Sequence, residues 1–202
     1  MRWIAASTVA GLALLRASAA AGTTVPPEPS IVWGTCSVCH GNDGISPNSS
    51  FPNLAGQTET YLQSQLSDFR DRSRADHDAK AYMWSMAGNV SGNSLKRIAQ
   101  YFSALTPPGS AAGEDPVAVA AGGKIFEQGI DSENVTACQT CHGAKAAGNG
   151  AFPRLAGQHR DYLVAQLKAF RSNERDNPIM HPVVEHLSDE QIGELAAYLA
   201  SL

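Results

Sequence analysis

Two thiols three positions apart, followed at once by an imidazole, occur twice in this chain of 202 residues, at residues 36–40 and 138–142. Thiols at this spacing can add to the two vinyl groups of one porphyrin, and the adjacent histidine can then bind the iron as its proximal ligand. The two motifs use all four cysteines of the sequence. The pattern therefore predicts two covalently attached haem c groups. The predicted attachment residues are Cys36, Cys39, Cys138 and Cys141, and the predicted proximal ligands are His40 and His142.

A zinc site made from the four thiolates is the main alternative to haem. Such a site does not explain why a histidine follows each cysteine pair, or why the segments after the two pairs are alike. In an oxidising compartment unmodified cysteines also tend to form disulfides, whereas cysteines bonded to haem do not. Haem attachment is the interpretation that accounts for the whole motif.

The ligand on the far side of each iron separates electron carriers from catalysts, because a sixth protein ligand closes the iron to exogenous molecules. When the two halves are aligned at a spacing of 97 residues, Met83 falls opposite Met180 and Met86 opposite Val183. We expect Met83 and Met180 to complete His/Met coordination, which raises the reduction potential. Met86 remains an alternative for the first haem, since it lies nearly one helical turn from Met83. The competing role for each methionine is filling a gap in a hydrophobic core.

Four histidines lie outside the two motifs. His181 adjoins Met180 and is the chief rival as a distal ligand, but its counterpart in the first half is a tryptophan, which cannot bind iron. The other three have no matched residue able to bind a metal, and we expect them to be ordinary surface residues. These three are His77, His159 and His186.

Pro52 and Pro153 occupy matched positions in the loops that follow the two motifs. A proximal histidine needs an acceptor for its Nδ1–H, which fixes the orientation of the ring, and a backbone carbonyl held in place by proline is suited to this role. The alternative is a proline that serves only to form a turn.

Basic residues follow a predicted helix in each half. Arg70 and Arg171 recur at a spacing of 101 residues, and we expect them to bind haem propionates through bidentate hydrogen bonds. A solvated cluster of charges is the alternative, and the two interpretations are balanced for Arg72, Arg74 and Arg175.

An internal repeat positions all of these residues. The segment 51–57 reappears as 152–158, and the Tyr-Leu and Phe-Arg pairs that follow return at the same spacing of 101 residues. The spacing falls to 97 towards the C-terminus, which predicts four extra residues in the first half between Arg70 and Met83. The boundary between the repeats is predicted in the Pro- and Gly-rich segment 106–113, giving units 22–108 and 109–202 after a segment 1–21.

Each unit is predicted to be helical, with no strand of useful length. Apolar residues recur at helical spacing in a middle and a final helix of each half, and Ser188 with Gln191 forms a capping box for the last helix. The second unit is expected to open with a helix at 116–128, and the first with a much shorter one at 30–35. The fold class is therefore all-α, with two small tandem domains.

The first 21 residues predict a secretory signal peptide, because a short basic start precedes an apolar run and small residues suited to cleavage. An uncleaved membrane anchor is the alternative, and the run is short and rich in small residues for that role. We therefore expect export to the periplasm. Residues 22–110 carry six basic and seven acidic side chains and residues 111–202 carry seven and twelve, so nucleic acid is not an expected partner.

Taken together, the repeated motifs resemble the di-haem cytochrome c4 family over residues 31–202. The resemblance rests on Cys-x-x-Cys-His-Gly, Phe-Pro-x-Leu-Ala-Gly-Gln and Tyr-Leu-x-x-Gln-Leu-x-x-Phe-Arg, and on a methionine before the final helix, each occurring twice. It implies two class I cytochrome c domains related by a pseudo-twofold axis, with adjacent haems. It also implies periplasmic electron transfer towards a terminal oxidase, with redox protein partners and at times loose membrane association.

Three functional hypotheses follow from the sequence. The first is an electron shuttle without chemistry of its own, which takes electrons from a quinol-oxidising complex or a dehydrogenase. The second is a di-haem enzyme such as a peroxidase or a sulfur-compound dehydrogenase, which would need a labile distal ligand. The third is a dedicated electron-transfer subunit of a dehydrogenase. The shuttle is favoured because a methionine is available to each haem.

Overall fold

The computed structural model of the protein describes Met1 and residues 30–202. Apart from Met1, the predicted signal segment lies outside these residues. Within 30–202 the chain is helical, and its only extended pairing is two isolated bridges, so the expected all-α class is confirmed. None of the helices in the described part of the chain has the length and apolar character needed to cross a membrane.

The two units share one order of helices, except that only the second opens with a long helix. The first unit contains a π-helical turn Val32–Cys36, α1 Ser37–His40, α2 Glu59–Arg70, a second π-helical turn Ala79–Met83, α3 Trp84–Ala87 and α4 Gly92–Ala104. The second contains α5 Pro116–Gln128, a 3₁₀ turn Asp131–Glu133, α6 Gln139–His142, α7 Arg160–Arg171, α8 Met180–Val184 and α9 Asp189–Ala200. The unit boundary predicted after residue 108 falls between α4 and α5 and remains a prediction.

Local signals in the sequence account for where the long helices begin. The side chain of Ser188 accepts a hydrogen bond from the amide of Gln191, whose own side chain bonds back to the cap, so the predicted capping box is present at α9. Asp115 caps α5 and Pro116 occupies its first turn, where the missing N–H costs nothing. Helix α5 spans the residues predicted for it, and the opening segment of the first unit is correspondingly short.

The core of the second unit forms where α5 crosses α9. Phe126 and Ile192 are fully buried there, and both belong to one apolar cluster. Gly122 makes the close crossing possible, because a Cβ atom at this position would collide with the backbone of Glu194. In the first unit, which lacks an equivalent of α5, Val32 in the opening turn packs against Phe102 of α4.

The extra residues of the first unit lie within the range predicted from the sequence, and the backbone hydrogen bonds narrow their position. The amide of Arg74 donates to the carbonyl of Asp68, and the amide of Arg175 donates to the carbonyl of Ala169, so the spacing of 101 residues still holds at this point. The four additional residues therefore lie after Arg74. They lead into the π-helical turn Ala79–Met83, which places Met83 at the end of that turn.

Matched glutamines join the two units across a pseudo-twofold axis. The side-chain oxygen of Gln158 accepts from the amide of Asn53 at 2.8 Å, and its Nε2 donates to the carbonyl of Asn53 at 3.0 Å. The same pair of bonds joins Gln57 to the backbone of Arg154, at 2.7 and 2.9 Å. The repeated Leu-Ala-Gly-Gln segment thus holds the two units together.

Candidate haem sites

Each predicted proximal histidine ends a short helix, and both rings are buried. His40 closes α1 and His142 closes α6, with relative exposures of 7% and 6%. In each unit a short helix begins after the first cysteine and carries the second cysteine and the histidine as its last two residues. The motif residues are therefore arranged in the same way in both units.

A proline carbonyl holds each of these rings. Nδ1 of His40 lies 2.9 Å from the carbonyl oxygen of Pro52, and Nδ1 of His142 lies 2.9 Å from that of Pro153. Because a carbonyl can only accept, Nδ1 carries the proton and Nε2 is left to bind a metal. Burial lowers the pKa of both histidines, which keeps the rings neutral, as ligation requires.

A cavity of about 440 Å³ lies between the units and receives residues from both. His40 and His142 both line it, together with the apolar side chains of the middle helices. A second cavity of about 70 Å³ lies within the second unit, against Cys138, Cys141 and His142. The two candidate sites are therefore neighbours, and one space connects them.

The candidate distal methionines differ in burial. Met180 is half-buried in the core cluster of the second unit, and the side chain of Asn177 accepts a hydrogen bond from its amide at 2.9 Å. Met83 is half-buried and packs with Phe69, whereas Met86 is 46% exposed. All three methionines line the larger cavity. Burial favours Met83 over Met86 as the residue that faces the first haem.

The remaining histidines are placed away from the cavity. Nδ1 of His181 lies 2.8 Å from the carbonyl of Phe170, and its ring is not among the residues lining either cavity. His77 and His186 are exposed, as expected. The prediction for His159 was wrong, because its Nε2 lies 3.0 Å from the carbonyl of Ser46 and this half-buried ring joins the two units. Its counterpart Thr58 also bonds across the interface, which the spacing did not reveal.

The structure does not place Arg70 and Arg171 at the cavity. Arg70 pairs with the neighbouring Asp71 on the surface, and Arg171 bonds Asp189 and the carbonyl of Leu187. Both arginines lie on the last turn of a middle helix and point away from the space between the units. The prediction that these two bind propionates therefore has no support in the geometry.

Arg74 and Arg175 line the cavity instead. Arg74 donates to Gln65 and Gln166, each at 2.8 Å, and Arg175 donates to the same two glutamines, each at 2.6 Å. Arg175 also donates to the hydroxyl of Tyr61 at 3.0 Å. The two arginines recur at a spacing of 101 residues, the same signal that pointed to Arg70 and Arg171.

The charges of these arginines are balanced differently. Nε of Arg74 lies 2.8 Å from Asp76, and both side chains are buried. Burial raises the pKa of Asp76, but the charge and hydrogen bond of Arg74 outweigh this and leave that pKa below its usual value. Arg175 is equally buried, yet no carboxylate of residues 30–202 forms an ion pair with it.

The residues around the cavity fit a haem group. The walls are mainly apolar, as a porphyrin requires, while Arg175 is a buried cation that forms no direct ion pair with a carboxylate of the described residues. Nε of Arg154, which also lines the cavity, is buried and has no hydrogen-bond partner among the described residues. Such unbalanced donors suit the carboxylates of haem propionates. A helical fold with two such sites defines the class of di-haem c-type cytochromes.

Comparisons with known proteins identify the family within that class. The family model for cytochrome c matches residues 119–202. A cytochrome c-552 of Acidithiobacillus ferridurans is 38% identical over 93% of this chain and 82% of its own. A cytochrome c4 of Azotobacter vinelandii is 36% identical over 83% and 84%, and a thiosulfate dehydrogenase electron acceptor of Thiomonas intermedia is 35% identical over 100% and 91%.

A solved structure supports the same assignment. A cytochrome c4 of Acidithiobacillus ferrooxidans superposes with a TM-score of 0.79 at 38% identity, covering 83% of this chain and 98% of the other. The chain belongs to the cytochrome c4 family, and it carries two covalently attached haem groups at its two cysteine pairs. It is a di-haem electron-transfer cytochrome.

Proposed function

We propose that this chain is an exported carrier of single electrons in which each iron has one histidine and one methionine ligand. His40 and Met83 serve the first haem, and His142 and Met180 serve the second. The observation that carries the proposal is that all four side chains line one cavity between the units. When bound, haem supplies a one-electron couple of ferric and ferrous iron.

The residues of the chain have simple tasks in this function. The carbonyls of Pro52 and Pro153 hold the proximal rings and keep Nε2 available to the iron. With haem bound, the thioethers of Met83 and Met180 would serve as the second protein ligands of the two irons, which would favour outer-sphere electron transfer over binding of a substrate. The glutamine bonds across the interface fix the separation of the two sites. An enzyme is not needed to explain any of these features.

The visible absorption spectrum of the oxidised protein tests this coordination. Two His/Met sites give a weak far-red band from sulfur to iron at the strength expected for two haems. A band of half that strength, or a haem that binds cyanide at once in both oxidation states, would instead indicate an open iron and favour the di-haem enzyme.

The partners proposed for this carrier are redox proteins. A quinol-oxidising complex or a dehydrogenase would donate electrons and a terminal oxidase would accept them. A relative that matches the whole chain is named a thiosulfate dehydrogenase electron acceptor, which favours a thiosulfate dehydrogenase as a second candidate donor. Mixing the oxidised protein with such a dehydrogenase and thiosulfate would reduce both haems within the mixing time if this donor is correct.

We further propose that the mature protein works in the periplasm, with at most loose membrane association. The apolar segment within residues 1–21 supports export. Fractionation of cells that produce the full chain tests this. Recovery of a shortened, haem-containing protein in the periplasmic fraction after a salt wash supports the proposal, and an intact N-terminus in the membrane fraction would contradict it.

A further inference from the structure

The two candidate distal methionines lie at the edges of very short helices. Met83 ends the π-helical turn Ala79–Met83 and directly precedes α3, which has four residues, and Met180 is the first residue of α8, which has five. Helices of this length are not stable through their own hydrogen bonds, because forming the first turn costs more free energy than one or two bonds contribute. Contacts with the rest of the unit therefore hold each methionine in place.

The residue after each methionine makes such a contact, and it uses a ring N–H in both units. Nε1 of Trp84 donates to the carbonyl of Arg74 at 2.8 Å, and Nδ1 of His181 lies 2.8 Å from the carbonyl of Phe170. A carbonyl can only accept, so Nδ1 of His181 carries the proton. Trp84 and His181 are matched at the same spacing of 97 residues as the two methionines. Two different rings thus perform one task.

Both accepting carbonyls belong to backbone that is fixed to a middle helix. Phe170 lies in the last turn of α7, and the amide of Arg74 donates to the carbonyl of Asp68 in α2. The two acceptors are not matched residues, but both lie where the chain leaves a middle helix. Each ring therefore fastens a turn that carries a methionine to the helix beside it.

The methionines face the space between the units, and the residues that follow them do not. Met83 and Met180 both line the larger cavity, whereas Trp84 and His181 are not part of its wall. Nε2 of His181 instead lies 3.8 Å from a carboxylate oxygen of Glu185, which is also outside the wall. The ring of His181 is thus directed to the middle helix and the surface, while the neighbouring thioether is directed to the haem space.

We propose that Trp84 and His181 are positioning residues, which keep the thioethers of Met83 and Met180 on the irons by fastening their turns to the middle helices. This inference rests on the proposed His/Met coordination. A ligand is held in place by the hydrogen bonds of the residues around it, and a ligand that is poorly held leaves the metal open to exogenous molecules. His181 therefore serves its haem through its N–H and not as a ligand.

The rate of cyanide binding to the oxidised di-haem protein tests the proposal, because cyanide reaches the iron only after the thioether has moved away. His181→Phe keeps an aromatic ring but removes the N–H, and it is expected to speed cyanide binding about tenfold at one haem. Trp84→Phe is expected to do the same at the other haem. The fast phase should have about half of the total amplitude in each single variant and all of it in the double variant.

Further variants separate positioning from general stability. His181→Asn retains an N–H near the position of Nδ1 and is expected to restore slow cyanide binding. His186→Phe makes the same exchange at an exposed imidazole nearby and is expected to leave the rate unchanged. On heating, the far-red sulfur band should weaken well before global unfolding in His181→Phe but not in His186→Phe. If Trp84→Phe does not fold, the variants of His181 alone decide the test.

Three results would overturn the inference. These are equal rates of cyanide binding in His181→Phe and His186→Phe, whatever their stabilities, a rate in His181→Asn as high as in His181→Phe, and an open, high-spin second haem in His181→Phe, which would make its imidazole the ligand. Failure of the proposed coordination has a different signature. In that case the unaltered protein already lacks the far-red band or binds cyanide at once.

Discussion

The side chain of Gln158 forms two hydrogen bonds with the backbone of Asn53 in the other unit, accepting at 2.8 Å and donating at 3.0 Å. A side-chain amide can satisfy an adjacent N–H and C=O in the same way as a neighbouring strand does. Both residues are buried, so the backbone groups of Asn53 have no access to water. The glutamine is therefore a structural link between the two haem units.

Removing this link is expected to destabilise the contact between the units. Gln158→Ala leaves a buried N–H and C=O unsatisfied and is expected to lower the free energy of unfolding by about 2 kcal/mol. Thermal or denaturant unfolding of the holoprotein measures this. Gln57→Ala tests the symmetric pair and should behave alike, while Gln128→Ala, at an exposed position of α5, is the control. Equal stability of Gln158→Ala and the control would contradict the role given to this residue.

Single substitutions distinguish the candidate distal ligands. Met180→Leu and Met83→Leu are each expected to remove about half of the far-red band. Met86→Leu is expected to leave the band intact, because this side chain is 46% exposed while Met83 is half-buried beside Phe69. Loss of the band in Met86→Leu and its retention in Met83→Leu would reassign the ligand of the first haem.

The buried pair of Arg74 and Asp76 predicts a pH dependence of stability. Asp76 has a folded-state pKa below its usual value, so it stabilises the fold above the unfolded-state pKa, and this contribution is lost as the pH falls through the folded-state pKa. Asp76→Asn leaves Arg74 buried without its partner and is expected to cost about 3 kcal/mol at neutral pH. The difference in unfolding free energy between the two proteins should shrink in acid. A difference that does not change with pH would contradict the assignment.

The close crossing of α5 and α9 predicts that replacing Gly122 with alanine lowers the stability of the protein. Gly122→Ala would drive its Cβ into the backbone of Glu194, and we expect the helices to separate at a cost of about 3 kcal/mol. Gly123→Ala meets only the ring of Tyr198, at 3.2 Å, and should cost less because a ring can shift. Gly109→Ala, where a Cβ atom meets nothing within 4 Å, is the control in denaturant unfolding. Equal stability of all three variants would show that the crossing is not tight.

The arginines show what the spacing of the internal repeat cannot predict. Arg70 and Arg74 both have counterparts at a spacing of 101 residues, so the repeat cannot tell which of them faces the cavity. The backbone decides this just after the middle helices, where Arg72 and Asn173 both adopt φ of 59°. This left-handed turn folds the chain back, and the amides of Arg74 and Arg175 then bond to the preceding helices. The residue types do not indicate this left-handed conformation in advance, because one of the two residues is arginine.

The sequence by itself determined the chemistry and the helices. Covalent haem attachment follows from two thiols and an imidazole at fixed spacing, and the bounds of α5 follow from its cap and periodicity, because both are properties of neighbouring residues. Tertiary structure alone decided which charges lie beside each site and which residues join the units. Arg175, Asp76 and His159 owe their roles to burial at an interface formed by segments about 100 residues apart. Burial changes the free energy of a charged group, and burial at such an interface cannot be predicted from the neighbouring residues in the sequence.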